Sequence, residues 1–404
     1  MELKGKYGTA KVFTDDLEDG AKEQIINLLD QSFIKGSDVR IMPDVHQGIG
    51  SVIGFTADMG DKVIPNIVGV DIGCGMLTVE LGDIDVDLSK LDKIIKNKIP
   101  SGRNVHSARK YEFDALQDLH VFRDLKNTKR LERSIGTLGG GNHFIELGED
   151  SKGDKYMVIH SGSRNLGTQV ARHYQKLAVD LCSGKESYYD KKEEIIKTYR
   201  EKDKQNLIQP ALKELKKKYK GLKPEYPKDL CYLTGRFKDR YIHDMRISQQ
   251  YASYNREVMA EIILSNLLGK DLDDFSYFET VHNYINLKDN IIRKGAISAY
   301  EGEKLLIPIN MRDGSIIAVG KGNKDWNYSA PHGAGRVLSR TAAKEELKLE
   351  DFKESMEGIY SSSVHKGTLD ESPDAYKPID HIISSIGDTV EIIDRIKPIY
   401  NYKA

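Results

Sequence analysis

Ala21, Ile25, Leu28 and Leu29 recur at intervals of three and four and predict a short amphipathic helix over about residues 20–30. Met42-Pro43-Asp44-Val45-His46 reads as extended chain, which sets Asp44 and His46 on one face. Lys62 to Gly69 is an apolar, β-rich run, and Leu77-Thr78-Val79-Glu80-Leu81 alternates as a strand does. Between them, Asp71-Ile72-Gly73-Cys74-Gly75 predicts a tight, glycine-permitted turn with the carboxylate and the thiol free to converge. Tyr156-Met157-Val158-Ile159 predicts a buried strand that ends on His160. Residues about 185–228 change character: Lys and Glu dominate, and Ala211, Leu212, Leu215 and Tyr219 after Pro210 predict a helical excursion, with Gly221 and Pro224 as stop signals. A longer helix is predicted over roughly 240–268, with Met245, Ala252, Met259, Ile262 and Ile263 as its apolar stripe and Gly269 as its close. Leu306 to Asn310 leads to a hairpin signal at Asp313-Gly314. Val337 to Lys344 predicts a further helix, with Gly333, Gly335 and Arg336 near its N-terminus, where free N–H groups favour a phosphate.

Strand and helix patterns alternate without internal repeat, low-complexity linker or clean composition break. The expectation is an α+β fold with a mixed β-sheet core, in one catalytic domain over residues 1–404. Lys+Arg (61) and Asp+Glu (62) leave a formal charge of −1, so nucleic-acid contact requires a local patch. Lys213, Lys216, Lys217, Lys218 and Lys220 offer one, although a solvated helix face is the commoner reason for such a run. Cys74, Cys182 and Cys231 are odd in number and widely spaced, which implies no disulfide framework. The N-terminus lacks a signal-like apolar stretch and no run approaches a membrane span, so the expected home is the cytoplasm, with no membrane partner.

Candidate chemistry gathers at five ligand-type side chains: Asp71, Cys74, His143 after Gly139-Gly140-Gly141-Asn142, His160, and His282 before Asn283. A thiolate can bridge two cations, so this set could hold two metals that share Cys74. Such a pair, about 3.5–4 Å apart, clamps phosphoryl oxygens. Donor softness favours Zn²⁺ without deciding the metal. Beside Gly333-Ala334-Gly335, His332 could attack phosphorus and carry a nucleotide, with Arg336 and backbone N–H groups stabilising the spread charge. The residues alone thus point to a metal-dependent phosphoryl or nucleotidyl transferase. A two-metal phosphohydrolase or cyclic phosphodiesterase would need the metal cluster but not His332. A non-catalytic RNA-binding protein would need only the excursion's lysines.

In chain order stand Pro43-Asp44-Val45-His46-Gln47-Gly48, Gly69-Val70-Asp71-Ile72-Gly73-Cys74-Gly75-Met76, Gly139-Gly140-Gly141-Asn142-His143-Phe144, His160-Ser161-Gly162-Ser163-Arg164, His282-Asn283-Tyr284, Arg293-Lys294-Gly295-Ala296, His332-Gly333-Ala334-Gly335-Arg336 and Lys403. This ordered set resembles the RtcB family of RNA-splicing ligases. The resemblance implies a GTP- and Mn²⁺-dependent ligase that joins RNA bearing a 3′-phosphate or 2′,3′-cyclic phosphate to a 5′-hydroxyl RNA, in splicing or repair. It implies a histidine–GMP intermediate at His332 and an activated RNA(3′)pp(5′)G end. Asp71, Cys74 and His143 would hold one Mn²⁺, and Cys74, His160 and His282 the other, two per chain. Asp44 would be a further catalytic acid. Asn142, His143, Phe144, Ile145, Glu146, His282, Asn283, Ser315, His332, Gly333, Ala334, Gly335 and Lys403 would bind the guanylate. So would the wall Pro308-Ile309-Asn310-Met311, where family members commonly carry Pro-Gly-Ser-Met; Ile309 and Asn310 change its size and polarity. The resemblance also implies an α+β fold of the family's own type, and archease as a possible activating partner.

Overall fold

The computed structural model describes residues 1–403. Its strands are β1 (Glu2–Lys4), β2 (Thr9–Val12), β3 (Val39–His46), β4 (Ile53–Asp58), β5 (Gly75–Gly82), β6 (Phe144–Glu149), β7 (Lys155–Ser161), β8 (Ser276–Val281), β9 (Asn283–Ile285), β10 (Ile291–Lys294), β11 (Ala296–Ser298), β12 (Lys304–Asn310), β13 (Gly314–Gly320), β14 (Ser329–Pro331) and β15 (Val390–Lys403). The helices are α1 (Asp19–Leu29), α2 (Pro65–Val68), α3 (Leu88–Lys98), α4 (Thr128–Glu132), α5 (Arg164–Leu181), α6 (Glu186–Glu201), α7 (Ile208–Lys218), α8 (Gly235–Leu267), α9 (Arg340–Glu346), α10 (Leu349–Ser355) and α11 (Ile379–Ile386).

Two sheets dominate. One has the order β1-β2-β3-β4-β10-β9, with a parallel β2–β3 pair among antiparallel neighbours. The other is antiparallel, β12-β13-β15-β6-β7-β5-β8, and β11 with β14 makes a separate pair. The α+β expectation therefore holds. On the seven-stranded sheet, alternation divides β6 between two environments. Ile145 and Leu147 join Leu77, Val79, Ile159 and the α8 residues Met259 and Ile263 in a buried apolar cluster. Phe144 and Glu146, one residue out of phase, face a cleft on the opposite side.

Three elements differ from the sequence expectation. The apolar run before Asp71 is not a strand. Pro65, at the first helical position, starts the short turn of helix α2, as its fixed φ and missing N–H favour. The long helix starts at Gly235, several residues before its apolar stripe becomes recognisable. The helix expected from Val337 begins only at Arg340, after Ser339 has accepted the Ala342 N–H with its side chain. The excursion does form two helices, α6 and α7, of which α7 buries only Leu215 among the described residues. Among the described residues, no helix is long and apolar enough to cross a membrane.

Candidate active site

Strand register assembles the five ligand-type side chains. Met76 and Phe144 both pair with His160, on either side of β7, while Gly75 pairs with Val281 of β8. Cys74, His143, His160 and His282 therefore collect at one end of three adjacent strands and β8. The His282 N–H donates to the Cys74 carbonyl at 3.0 Å, and the Cys74 N–H donates to Asp71 O at 3.2 Å, closing the turn. Gly73 sits there at φ +72°, and a Cβ would lie 2.8 Å from the Gln249 backbone. From α8, the fully buried Arg256 donates to the carbonyls of Gly73 (2.9 Å) and Ser161 (2.6 Å), tying the turn to the end of β7.

At the centre, Cys74 Sγ lies 3.5 Å from His143 Nε2 and 3.3 Å from His160 Nε2. His143 Nε2 is 3.1 Å from Asp71 Oδ2, and His160 Nε2 is 3.2 Å from His282 Nε2. Two triads result, Asp71/Cys74/His143 and Cys74/His160/His282; in each the donor atoms lie within 4.8 Å of one another, and Cys74 is common to both. His143 Nδ1 donates to Leu138 O at 2.9 Å, so in a neutral ring the lone pair on Nε2 points at the Asp71 carboxylate. Lone pairs facing one another at such distances ask for a cation between them. Burial, and then the neighbouring imidazoles, holds His160 and His282 well below the usual histidine range, hence neutral and able to ligate. Burial and then Asp71 push the Cys74 thiol up, an effect that a bound cation reverses. The donor set thus fits two divalent cations that share a sulfur.

Beside this cluster stands His332, its ring centroid 4.7 Å from that of His282. Its Nδ1 lies 2.6 Å from Oδ2 of Asp44, and its backbone N–H donates to the same oxygen at 3.1 Å. Nδ1 is therefore the nitrogen that donates to the carboxylate, and in the neutral ring the lone pair sits on Nε2. Gly335, at φ +76°, lets the following loop press on β3: a Cβ would lie 3.0 Å from the Asp44 backbone. Asp44 and His46 share a face as expected, and His46 Nδ1 donates back to Asp44 O at 3.0 Å.

A cleft opens beside His332, lined in part by Asn142, Phe144, Glu146, His160, Pro308 to Met311, Gly333 to Gly335 and Lys403. In it, burial pushes the Glu146 carboxyl up to about 8. Asn401 donates to its Oε2 at 2.8 Å. Glu146 Oε1, Asn401 Oδ1 and Ser315 Oγ are buried with no hydrogen-bond partner among the described residues. Native interiors rarely leave such groups unpaired, and a polar ligand in the cleft would satisfy them. Lys403 ion-pairs with Glu371. Burial opposes the charge on Glu371, but Lys403 and Arg340 outweigh it and hold the carboxyl at about 2.

Not every candidate side chain reaches the cleft. Ile145 lies in the apolar cluster on the other side of the sheet. Asn283 accepts from Gly295 N and donates to Asp71 O, so it braces the metal-type turn. Ile309 and Asn310 do border the cleft, but Asn310 commits its polar atoms to the β12–β13 hairpin, with Asp313, Arg312 N and Asp313 N, and Ile309 is almost fully buried. The helix N-terminus expected to receive a phosphate near Gly335 is not there, since α9 starts later. Arg336 instead donates to Leu338 O and Asp370 O and stacks over Tyr376. Arg293 and Lys294 are buried fasteners, not free cations. Sequence reasoning missed Glu371, Arg340, Tyr376, Asn401 and Arg256. Asn401 was within reach, because period-two alternation places it on the face of Lys403; Glu371 carries no local signal.

Such a site can hold two cations and offer a nucleophilic nitrogen to phosphorus, the equipment of metal-assisted phosphoryl transfer. The profile of the family described as tRNA-splicing ligase RtcB matches residues 24–125 and 121–404, and the chain belongs to this family. It is similar to the RNA-splicing ligase RtcB of Escherichia coli K12, at 30% identity over 95% of this chain and 94% of that protein. The tRNA-splicing ligases RtcB of Archaeoglobus fulgidus (26%, covering 99% and 94%) and Nanoarchaeum equitans (26%, covering 89% and 86%) are also similar to it.

Proposed function

We propose that this protein is an RNA ligase working as one catalytic unit. It joins a 3′-phosphate or 2′,3′-cyclic phosphate end to a 5′-hydroxyl end, with GTP as co-substrate and a histidine–GMP intermediate. The observation that carries the reading is His332, oriented by Asp44 and set beside the shared-sulfur cluster. Asp71, Cys74 and His143 would hold one divalent ion, Mn²⁺ in this reading, and Cys74, His160 and His282 a second. When bound, the pair neutralises charge on phosphoryl oxygens.

The residues then act in sequence. Glu146 and Asn401 offer unpaired polar atoms to the guanine base in the cleft, between the walls of Phe144 and Pro308 to Met311, with Ser315 buried behind Glu146. His332 Nε2 attacks the α-phosphorus of GTP; a P–N bond forms and pyrophosphate leaves. Asp44 accepts the hydrogen bond from Nδ1, which keeps its proton, and stabilises the positive ring as the bond forms. Water opens a cyclic end to the 3′-phosphate. An oxygen of that phosphate attacks the guanylate phosphorus and releases the imidazole, giving RNA(3′)pp(5′)G. The 5′-hydroxyl oxygen then attacks the RNA phosphorus and GMP departs. Lys403, tethered by Glu371, and Gly333 to Gly335 line the same cleft and would orient the guanylate.

The experiment is incubation with Mn²⁺ and GTP labelled at the α-phosphorus. An acid-labile protein–GMP adduct is expected in the wild type and its loss in His332→Ala. Joined product from RNA with 3′-phosphate and 5′-hydroxyl ends supports ligation, whereas end hydrolysis alone would favour a phosphohydrolase. Whether splicing or repair supplies the RNA, and whether archease assists, would follow from adding candidate RNAs and archease to the same assay.

A further inference from the structure

A third group of metal-ligand side chains meets away from the cleft. His120, His243 and Asp244 each bring one donor atom to within 4.8 Å of the others. His120 lies in the irregular connection between α3 and α4, and His243 and Asp244 lie within α8. Asp244 has no solvent exposure. Its carboxylate is fixed by backbone donors from that connection: Oδ1 accepts the His120 N–H at 2.9 Å, and Oδ2 accepts the Val121 N–H at 3.1 Å. Tyr174 of α5 adds its hydroxyl to Oδ2 at 2.9 Å. Oδ1 also lies 3.1 Å from His243 Nδ1. Carboxylates that orient a ligating imidazole in this way recur in metal sites.

The two imidazoles lie side by side, ring centroids 4.7 Å apart and tilted by 55°. Both rings are exposed, which leaves an entry path and room for water to complete a coordination shell. We propose that His120 and His243, the latter oriented by Asp244, form a binding site for one zinc-class divalent cation, independent of the shared-sulfur cluster, that clamps the α3–α4 connection to α8, with water completing the shell. Two imidazoles suit Zn²⁺ or Ni²⁺, whereas Mg²⁺ and Ca²⁺ prefer oxygen donors.

The clamp has a mechanical consequence. The start of the same connection touches the glycine run before His143: the Gly102 N–H donates to Gly139 O at 2.7 Å, and Arg164 donates to Gly102 O at 3.1 Å. A cation on His120 therefore fixes the far end of a segment whose near end borders the active-site wall.

The test uses the full-length protein stripped of metal, then loaded with Zn²⁺ and freed of excess by gel filtration. Metal content and hydrogen exchange over residues 112–127 are measured. Wild type is expected to retain one equivalent more than His120→Ala/His243→Ala, and Cys74→Ala to keep that equivalent. Zn²⁺ should slow exchange across 112–127 in wild type and not in the double variant, and Mg²⁺ should do neither. Both substitutions remove exposed rings and leave Asp244 in place, and the single variant His120→Gln, which should also lose the equivalent, guards against a folding artefact. Equal metal content in wild type and double variant, or exchange indifferent to Zn²⁺, overturns the proposal. Neither readout involves ligation, so the result is independent of the proposed function.

Discussion

Nδ1 of His332 lies 2.6 Å from Oδ2 of Asp44, a carboxylate that is itself fully buried. The contact settles the tautomer, and with it which nitrogen faces the cleft. Asp44→Asn preserves volume but can present an N–H to Nδ1, which favours the tautomer with the proton on Nε2 and removes the nucleophile. Guanylylation of His332 is expected to slow by about 10²–10⁴-fold, the range seen when a histidine loses its orienting carboxylate. GTP affinity should change little, because Asp44 lies behind the imidazole. Single-turnover adduct formation against GTP concentration checks this; a rise in KM without a fall in rate would contradict the assignment.

Cys74 differs from the other four ligand-type side chains because both donor triads contain it. Cys74→Ala should therefore remove both active-site ions, whereas His282→Ala and His143→Ala should each remove one. Metal analysis after dialysis against Mn²⁺ measures the difference. Equal losses in the three variants would mean that the sulfur is not shared.

Much of this centre was legible in the sequence because its residues sit beside glycines or at the ends of recognisable strands. The alternation in β5 and β7 placed Cys74 and His160 at strand ends before any register was known. Strand pairing then did what periodicity cannot: it set Met76 and Phe144 opposite His160. The misreadings have local causes. Pro65 turned an apolar run into a helical turn, because β-propensity reports burial as much as backbone preference. Ser339 moved the start of α9 from Val337 to Arg340, farther from the glycines, which removed the expected anion site. Glu371 was invisible because its role depends on Lys403 and Arg340, which reach it only through tertiary folding.

Glu146 gives a stability signature. Its carboxyl is raised by burial from 4.5 to about 8, so between those values the folded state holds a proton that the unfolded state has released. Stability should then fall as pH rises through this window, with a slope of at most about 1.4 kcal/mol per pH unit from this group. Glu146→Gln removes the titration while keeping an oxygen for Asn401. Relative to wild type, the variant should gain stability steadily from pH 5 to pH 8 while binding GTP more weakly. Urea midpoints at three pH values test it, and parallel pH profiles for the two proteins would rule out the raised carboxyl.

Lys294 is a buried cation whose role is structural. It donates to the carbonyls of Ile49, Ser51 (3.0 Å) and Asn66 (3.1 Å), and burial lowers it to about 7. These acceptors belong to the loop after β3 and to α2, so one ammonium ties the Asp44 strand to the helix that leads into Asp71. Next to it, Gly295 supports His332: a Cβ there would lie 3.2 Å from His332 Cε1. Lys294→Met keeps most of the stem's apolar contacts but leaves buried carbonyls unpaired. The expected loss is about 2–4 kcal/mol of folding stability, given about 1–3 kcal/mol for each buried group left without a partner. Thermal unfolding should show the drop, and an adduct assay well below the new Tm should show slower guanylylation, because both the Asp44 strand and the Gly295 support would loosen. An unchanged Tm would mean that water reaches these carbonyls and that Lys294 does not fasten the two elements.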